Sequence, residues 1–346
     1  DPSLSYAEAA RRRDFTINSI GFDIESKTWL DPYEGLPDLQ KRILKHVSPA
    51  FSEDPLRVLR AARFAACLGF QVPEATLALC RTLNLHELPH DRVFEDLRRL
   101  LLEAKAPSVG LEVMRKTDAL QLFPEVQRLV QWDTHHHTRL LWPKTLAAID
   151  GMATYANSNG SAHLTMMLAA LAHALGQPLV SKRVGSRWIF PRHPLHGQQA
   201  CAEFLQRLTP QRELCRAVPP LVRVQQMPDL LYRWRKTLKR GTLRKLAVRV
   251  PPARLARLSH ACHAWENSGQ AHLPAVWLHV EAQKLGVLNH PPTPFLQGKD
   301  LLELGAAPGP SLGAMLHKAF ELQLEGEFRN RHEAMRWAES VVLTCS

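Results

Sequence analysis

The sequence has no CxxC pair. Its six cysteines, at positions 67, 80, 201, 215, 262 and 345, stand singly. That scatter excludes a zinc ribbon and a disulfide framework. It reads as free thiols in a reducing compartment, so the expected location is cytoplasmic. No run of about 18 uncharged apolar residues stands out, and no membrane span is expected. The opening stretch, DPSLSYAEAA, is acidic and polar and has no signal-peptide core. It begins on Asp1 rather than methionine, which reads as a fragment or a trimmed chain. Internal repeats and low-complexity tracts are missing too. Acids are in short supply: 33 Asp and Glu stand against 44 Lys and Arg, a formal charge of +11. Such a surplus favours a polyanionic partner, nucleic acid ahead of a membrane surface.

What remains is ordinary for a soluble chain of two to three domains: 346 residues, 45% hydrophobic and 22% charged. Residues 1–48 read as mixed structure, with a short helix in ARRRDFTINSI and two strands, GFDIES and KTWLDPY, joined at Ser26-Lys27. From Glu53 onward the pattern is helical. EDPLRVLRAARFAACLGF, PEATLALCRTLN, DRVFEDLRRLLLE and SVGLEVMRKTDALQLF all repeat apolar residues at three- and four-residue spacing. Pro73, Pro89 and Pro107 mark helix starts. Residues 120–250 read as helical around one irregular stretch, GQPLVSKRVGSRWIFPRHPLHG. Pro251-Pro252 and Pro291-Pro292 mark joints, and APGP near the end reads as a turn between helices.

Two charge patterns carry chemistry. From Tyr232 to Leu258 there are ten Lys or Arg and no acid. Arg233, Arg235, Lys236, Lys239, Arg240, Arg244 and Lys245 are among them, with Tyr232 and Trp234 interleaved. Phosphates attract such a run because each contact releases condensed counterions. A solvated helix face is the alternative, although solvated faces usually mix signs. The second pattern is SEDPLRVLRAARF, residues 52–64, where Asp54, Arg57, Arg60 and Arg63 fall three apart. On a helix these are neighbours. Asp54 and Arg57 together offer an acceptor-donor edge that complements a nucleobase, and Arg60 and Arg63 extend the row toward phosphates. An intrahelical ion pair near a helix N-terminus explains the same spacing, and spacing alone favours it.

The surrounding sequence shifts that balance. RRRDFTINSI at 11–20, LDPYEGLPDLQKRILKHVSPAFSEDPLRVLRAARFAACLGF at 30–70 and GKDLLELGAAPGPSLGAMLHKAFELQLEGE at 298–327 strongly resemble bacterial class II tRNA nucleotidyltransferases, the CCA-adding enzymes. Bacterial poly(A) polymerase shares these motifs, while HVSPAFSEDPLRVLR leans toward the CCA side. The resemblance implies a mostly α, multi-domain fold. Residues 1–48 would be the C-terminal remnant of an α+β nucleotidyltransferase head. Residues 49–110 would be a helical neck, 111–250 an HD-like body and 251–346 a helical tail. It implies that Asp54 and Arg57 read the base of incoming CTP or ATP, and that Arg60 and Arg63 line the pocket. Arg13 would contact phosphate, and Asp14 and Asn18 the ribose, although capping also accounts for the last two. The basic run would hold the tRNA acceptor arm, and no obligate protein partner is implied. The alternatives are bacterial poly(A) polymerase, an A- or CC-adding specialist, and a non-catalytic RNA-binding relative.

The family chemistry also implies Mg²⁺, held by a DxD strand that follows a GGxxRD loop. Neither occurs in the residues before RRRD. No catalytic carboxylate is therefore expected within these residues, and the chain alone is expected not to catalyse addition. Glu53 and Asp54 are poor substitutes because adjacent helical residues diverge by about 100°. In the body, LAALAHALGQP stands where an HD site would read HDxGKP. Ala174 replaces the aspartate after His173, and Lys144 stands near an early histidine position. His193 and His196 remain, but a working HD hydrolase is not expected without the carboxylate. His135, His136 and His137 read as a polar loop.

Overall fold

A computed structural model describes residues 4–138, 140–155, 160–239, 241–267 and 270–345. The fold is mostly helical. In chain order the elements are α1 (Tyr6–Ala10), β1 (Gly21–Asp23), β2 (Thr28–Leu30), α2 (Gly35–Lys41), α3 (Arg57–Leu68), α4 (Glu74–Arg81) and α5 (His90–Glu103). Next come α6 (Pro107–Lys116), α7 (Pro124–His135), α8 (Leu141–Ala153), α9 (Gly160–Ala172), α10 (Gln177–Val180), β3 (Lys182–Val184), β4 (Arg187–Ile189), α11 (His193–Leu208) and α12 (Arg212–Val224). The remainder is α13 (Met227–Arg233), α14 (Gly241–Arg249), α15 (Pro252–Cys262), α16 (Ala264–Asn267), α17 (Leu273–Lys284), α18 (Gly298–Glu303), α19 (Pro310–Glu325) and α20 (Arg331–Cys345). The only named strands among the described residues form two antiparallel hairpins, β1–β2 and β3–β4.

The chain divides into two compact units. One runs to Val224 and includes His260–Gln270; the other holds Gln225–Ser259 and Ala271–Ser346. In the first, α3 turns Ala61, Ala62, Ala65 and Ala66 inward, all buried. Small side chains let α6 approach closely. An added methyl at Gly110 of α6 would lie 2.7 Å from the Ala62 carbonyl oxygen. This contact holds α3, and with it the arginine row, against the body of the unit. Every residue of α9 from His163 to Ala172 is buried. Gly176 and Gly197 let α10 and α11 cross, since a methyl at Gly176 would collide with the His193 carbonyl. In the second unit, Leu296, Leu301, Ala319, Ala334 and Ala338 form one core under Phe295, Phe328 and Trp337.

The expected proline punctuation holds at α4, α5 and α6: Pro73 and Pro89 occupy N-caps and Pro107 the first turn. Four sequence expectations need correction. First, the helix read over ARRRDFTINSI is displaced. A Ser5–Glu8 capping box starts α1 early, and only Thr16–Asn18 form a 3-10 turn. The Asp14 carboxylate accepts from the Phe15 N–H and from Asn18, offering that segment bonds outside a helix. Second, α3 starts at Arg57, so Asp54 is not helical. Asp54 precedes Pro55 and sits at φ −131°, ψ 100°, the extended region to which a following proline ring confines it.

Third, the helix read through SVGLEVMRKTDALQLF breaks after Lys116. Asp118 takes φ 58°, and the Thr117 hydroxyl donates back to the Val113 carbonyl at 2.8 Å. Fourth, the chain does hold a long uncharged run. Residues 151–181 hold no Asp, Glu, Lys or Arg. The segment Gly160–Val180 is long and apolar enough to qualify as a span by composition, yet most of its apolar stretch is buried within the chain's own core. The stretch read as irregular resolves into α10 and the β3–β4 hairpin. Gly185 at φ 58° makes its turn.

Candidate nucleotide site

The site grows from the loop after α1 and the first turns of α3. Arg57 opens a helix, where the dipole disfavours a cation. Two carbonyls offset this. Its Nη1 donates to Ala50 O at 2.7 Å and its Nη2 to Arg12 O at 2.6 Å. Arg57 thereby ties the RRRD loop to the segment before α3. One turn on, Arg60 grips Asp14 Oδ2 with Nε at 2.8 Å and Nη2 at 2.6 Å. Asp14 Oδ1 accepts from the Phe15 N–H at 2.9 Å and from Asn18 Nδ2 at 2.8 Å. A carboxylate has about four acceptor directions, and here all are engaged. Burial pushes the Asp14 carboxyl up, but the bonds from Asn18 and Arg60 and the Arg60 charge outweigh it. They hold Asp14 below the usual range.

Beneath this network Phe15 is fully buried, edge-on to Phe51 at 5.7 Å and to Phe64 at 5.8 Å. The Arg57 guanidinium lies 5.9 Å from the Phe51 ring centre and that of Arg60 lies 5.3 Å from Phe64. Asp54 is half-buried, and its Oδ1 accepts from the Leu56 N–H at 3.1 Å. Glu53 pairs with Arg12 at 3.4 Å, both exposed. Arg13 is exposed. Arg63 stands apart. It is buried and faces α5, where Nε meets Asp96 Oδ1 at 3.0 Å, with Glu103 at 4.0 Å. Burial raises the Asp96 carboxyl above its ordinary value, and Arg63, Arg60 and Arg99 offset that only in part.

The structure thus joins Asp14, Asn18 and Arg60 in one hydrogen-bonded network, sets Arg57 one turn before Arg60 on the Ala50 and Arg12 carbonyls, and turns Arg63 toward α5. Sequence reasoning missed Arg12, whose contribution is a backbone carbonyl, and Asp96. Only the burial pattern of DRVFEDLRR, with Asp96 on the inward face of α5, points to the latter.

The second basic pattern is not one helix. Arg233 ends α13, residues 234–239 loop out, and Arg244 and Lys245 lie on α14. Arg233, Arg235, Lys236 and Lys239 are exposed, as is Trp234. The Arg235 guanidinium sits 4.0 Å from the Tyr232 ring centre. Arg244 and Lys245 are engaged at the end of α19, Lys245 with Glu325 at 2.8 Å. Arg240 lies outside the described residues.

The positions compared with an HD site are held in contacts within the fold. His173 is buried, its Nδ1 at 2.8 Å from Ala170 O, and burial drives it down to about 4. Ala174 supplies no ligand atom. Lys144 pairs with Glu266 at 2.6 Å. His193 lies against Phe190 O at 2.9 Å, and His196 is exposed. The His135–His137 triplet closes α7 rather than forming a free loop. His136 stacks 4.2 Å from Trp188 and 4.7 Å from Trp132.

Comparison with known proteins agrees in fold and sequence. Residues 3–45 match the family described as Poly A polymerase head domain. The chain is 34% identical over 341 residues to the multifunctional CCA protein of Xanthomonas axonopodis pv. citri (strain 306), covering 92% of this chain and 78% of that protein. It is 32% identical over 349 residues to the multifunctional CCA protein of Stenotrophomonas maltophilia (strain K279a), covering 92% and 79%. A solved CCA-adding enzyme in apo form I superposes with a TM-score of 0.60 at 15% identity, over 96% of this chain and 71% of that one. A CCA-adding enzyme with CTP gives 0.58 at 18% identity, over 97% and 72%. At such identities the structures speak for a shared fold, and the sequence relatives carry the family. The chain belongs to the CCA-adding class II tRNA nucleotidyltransferases, the family of the multifunctional CCA proteins.

Proposed function

We propose that this chain serves CCA addition, the stepwise transfer of CMP, CMP and AMP from CTP and ATP to the tRNA 3′ end with release of pyrophosphate. The observation that carries it is the 34% identity to a CCA protein over 92% of the chain. In this reading Asp54 and Arg57 select the nucleotide. Cytosine and adenine each present an amino donor beside a ring-nitrogen acceptor; guanine and uracil present the reverse. Asp54 Oδ2 accepts from the amino group, and a guanidinium N–H of Arg57 not engaged by Ala50 or Arg12 donates to the ring nitrogen. Asp14, Asn18 and Arg60 form the floor on which the ribose side rests, and Arg13 reaches the phosphates. Arg63 acts at one remove by anchoring α3 to α5. Arg233, Arg235, Lys236, Lys239, Arg240, Arg244 and Lys245 bind the acceptor arm. The division into head remnant 1–48, neck 49–110, body 111–250 and tail 251–346 frames these roles.

Mg²⁺ supplies charge neutralisation and activation of the attacking hydroxyl in this chemistry. The acids at this site do not fit it. Asp14 has its acceptor directions filled by donors, Glu53 pairs with Arg12, and Asp54 accepts from a backbone N–H. No step is therefore assigned to an ion held here.

The test is incorporation by the full-length protein from each of the four nucleoside triphosphates, using tRNA that ends at the discriminator base. Asp54→Ala and Arg57→Ala should let UTP and GTP in, narrowing discrimination by roughly 10-fold or more for a lost bidentate contact. Affinity for tRNA should stay nearly unchanged. Undiminished selectivity in both variants would remove the base-reading assignment.

A further inference from the structure

The β3–β4 hairpin and the cleft beside it are unused by the nucleotide site. Between Gly151 and Ala202 the sequence has no acid, and the hairpin concentrates its cations. Lys182, Arg183 and Arg187 are all exposed. The register pairs Arg183 with Trp188, so both project from one face, while Lys182 and Arg187 take the other. The Trp188 face meets an aromatic stack: His136 at 4.2 Å, Trp132 at 5.1 Å, and His135 against His136 at 4.7 Å. Trp132 Nε1 donates to Ser181 Oγ at 3.0 Å, tying the stack to the start of the hairpin.

Beside the stack opens a cleft of about 620 Å³, whose lining includes Arg115, Arg128, His135, His136 and Trp132 and one acid, Asp118. That is room for a nucleotide. Partial desolvation, followed by the charges of His135, Arg183 and His137, holds His136 below its ordinary value, which marks a locally cationic field.

We infer that the hairpin and this cleft form a second RNA-contact surface. An unstacked base lies against the His135–His136 edge, its phosphate meets Arg183 on the Trp188 face, and the single-stranded backbone crosses the hairpin edge to Lys182 and Arg187 on the other face. Cations beside an accessible ring edge, here exposed His135 and half-buried His136, suit a strand without sequence preference, because each base offers a π-face and each phosphate a charge. The inference rests on the reading that RNA is the chain's substrate.

The experiment compares the unmodified chain with a triple variant, Lys182→Gln, Arg183→Gln and Arg187→Gln. It measures tRNA retention on filters across a salt series. The variant should bind about 10- to 100-fold more weakly at low salt. The slope of log affinity against log salt should flatten by roughly 2, as expected for three lost backbone contacts. A separate His135→Ala, His136→Ala variant should lose on the order of tenfold without a change in slope. The hairpin positions are exposed, and circular dichroism checks that the variants are folded. An unchanged slope and affinity in the triple variant, with normal binding by the unmodified chain, overturns the hairpin site and leaves the proposed function standing. Failure of the unmodified chain to retain tRNA overturns both. Competition by poly-glutamate as effective as that by RNA of equal charge makes the surface a general anion patch and overturns the assignment.

Discussion

At the scale of single residues, the arginines of α3 divide by partner. Arg57 is held by carbonyls, Arg60 by a carboxylate at the site, and Arg63 by a carboxylate in the core. All three look alike in sequence because spacing records the face of a helix and not what lies opposite. Arg63 tests this division. Arg63→Met strands a buried Asp96 and should cost on the order of 3 kcal/mol in urea unfolding. Adding Asp96→Leu replaces the pair by apolar contacts and should recover most of it. Nucleotide choice in the double variant should match the parent, provided α3 keeps its place. A shift in choice comparable to that of Arg57→Ala would instead put Arg63 in contact with the base.

At the scale of elements, one ring decides where the acidic member of the row sits. Pro55 holds Asp54 extended, so its carboxylate stands ahead of α3 rather than along it. Pro55→Ala frees Asp54 to join the helix. The expected result is an N-terminal extension of α3, seen as added amide protection at Arg57 and Val58, with loosened CTP and ATP selectivity and little change in thermal stability. Unchanged selectivity together with the added protection would show that the position of Asp54 is immaterial.

Elements also mark what the sequence could and could not disclose. Helices α4, α5 and α6 were legible because proline and apolar spacing agree. The breaks at Asp54 and Asp118 were not, since each depends on a local conformation that hydrophobic periodicity ignores. The polar network of Asp14, Asn18 and Arg60 joins residues more than 40 positions apart, and the resemblance named its members without naming their bonds. Pro219 and Pro220 lie inside α12, against the ordinary expectation that proline ends a helix.

At the scale of the whole molecule, buried histidine sets an acid limit on stability. His173 titrates near 4 in the fold against 6.5 when free, so the unfolded chain binds more protons between those values. Stability therefore rises with pH across that window and is lost as the solution is acidified through it, by on the order of 3 kcal/mol. His193, also lowered by burial, adds to the same slope. Thermal unfolding followed from neutral pH to 4 should show the fall, and His173→Gln should flatten it. An equal slope in that variant would place the acid sensitivity elsewhere.

The uncharged run that ends before Lys182 has a bearing on synthesis. Helix α9 is covered by α5, α8 and α12, and α12 is made later, ending at Val224. A nascent chain halted shortly after Val180 would expose an oily, charge-free segment on the side that α12 later covers. Such an intermediate would be a natural client for holding chaperones, and a gene cut there would give insoluble product where one cut past Val224 would not.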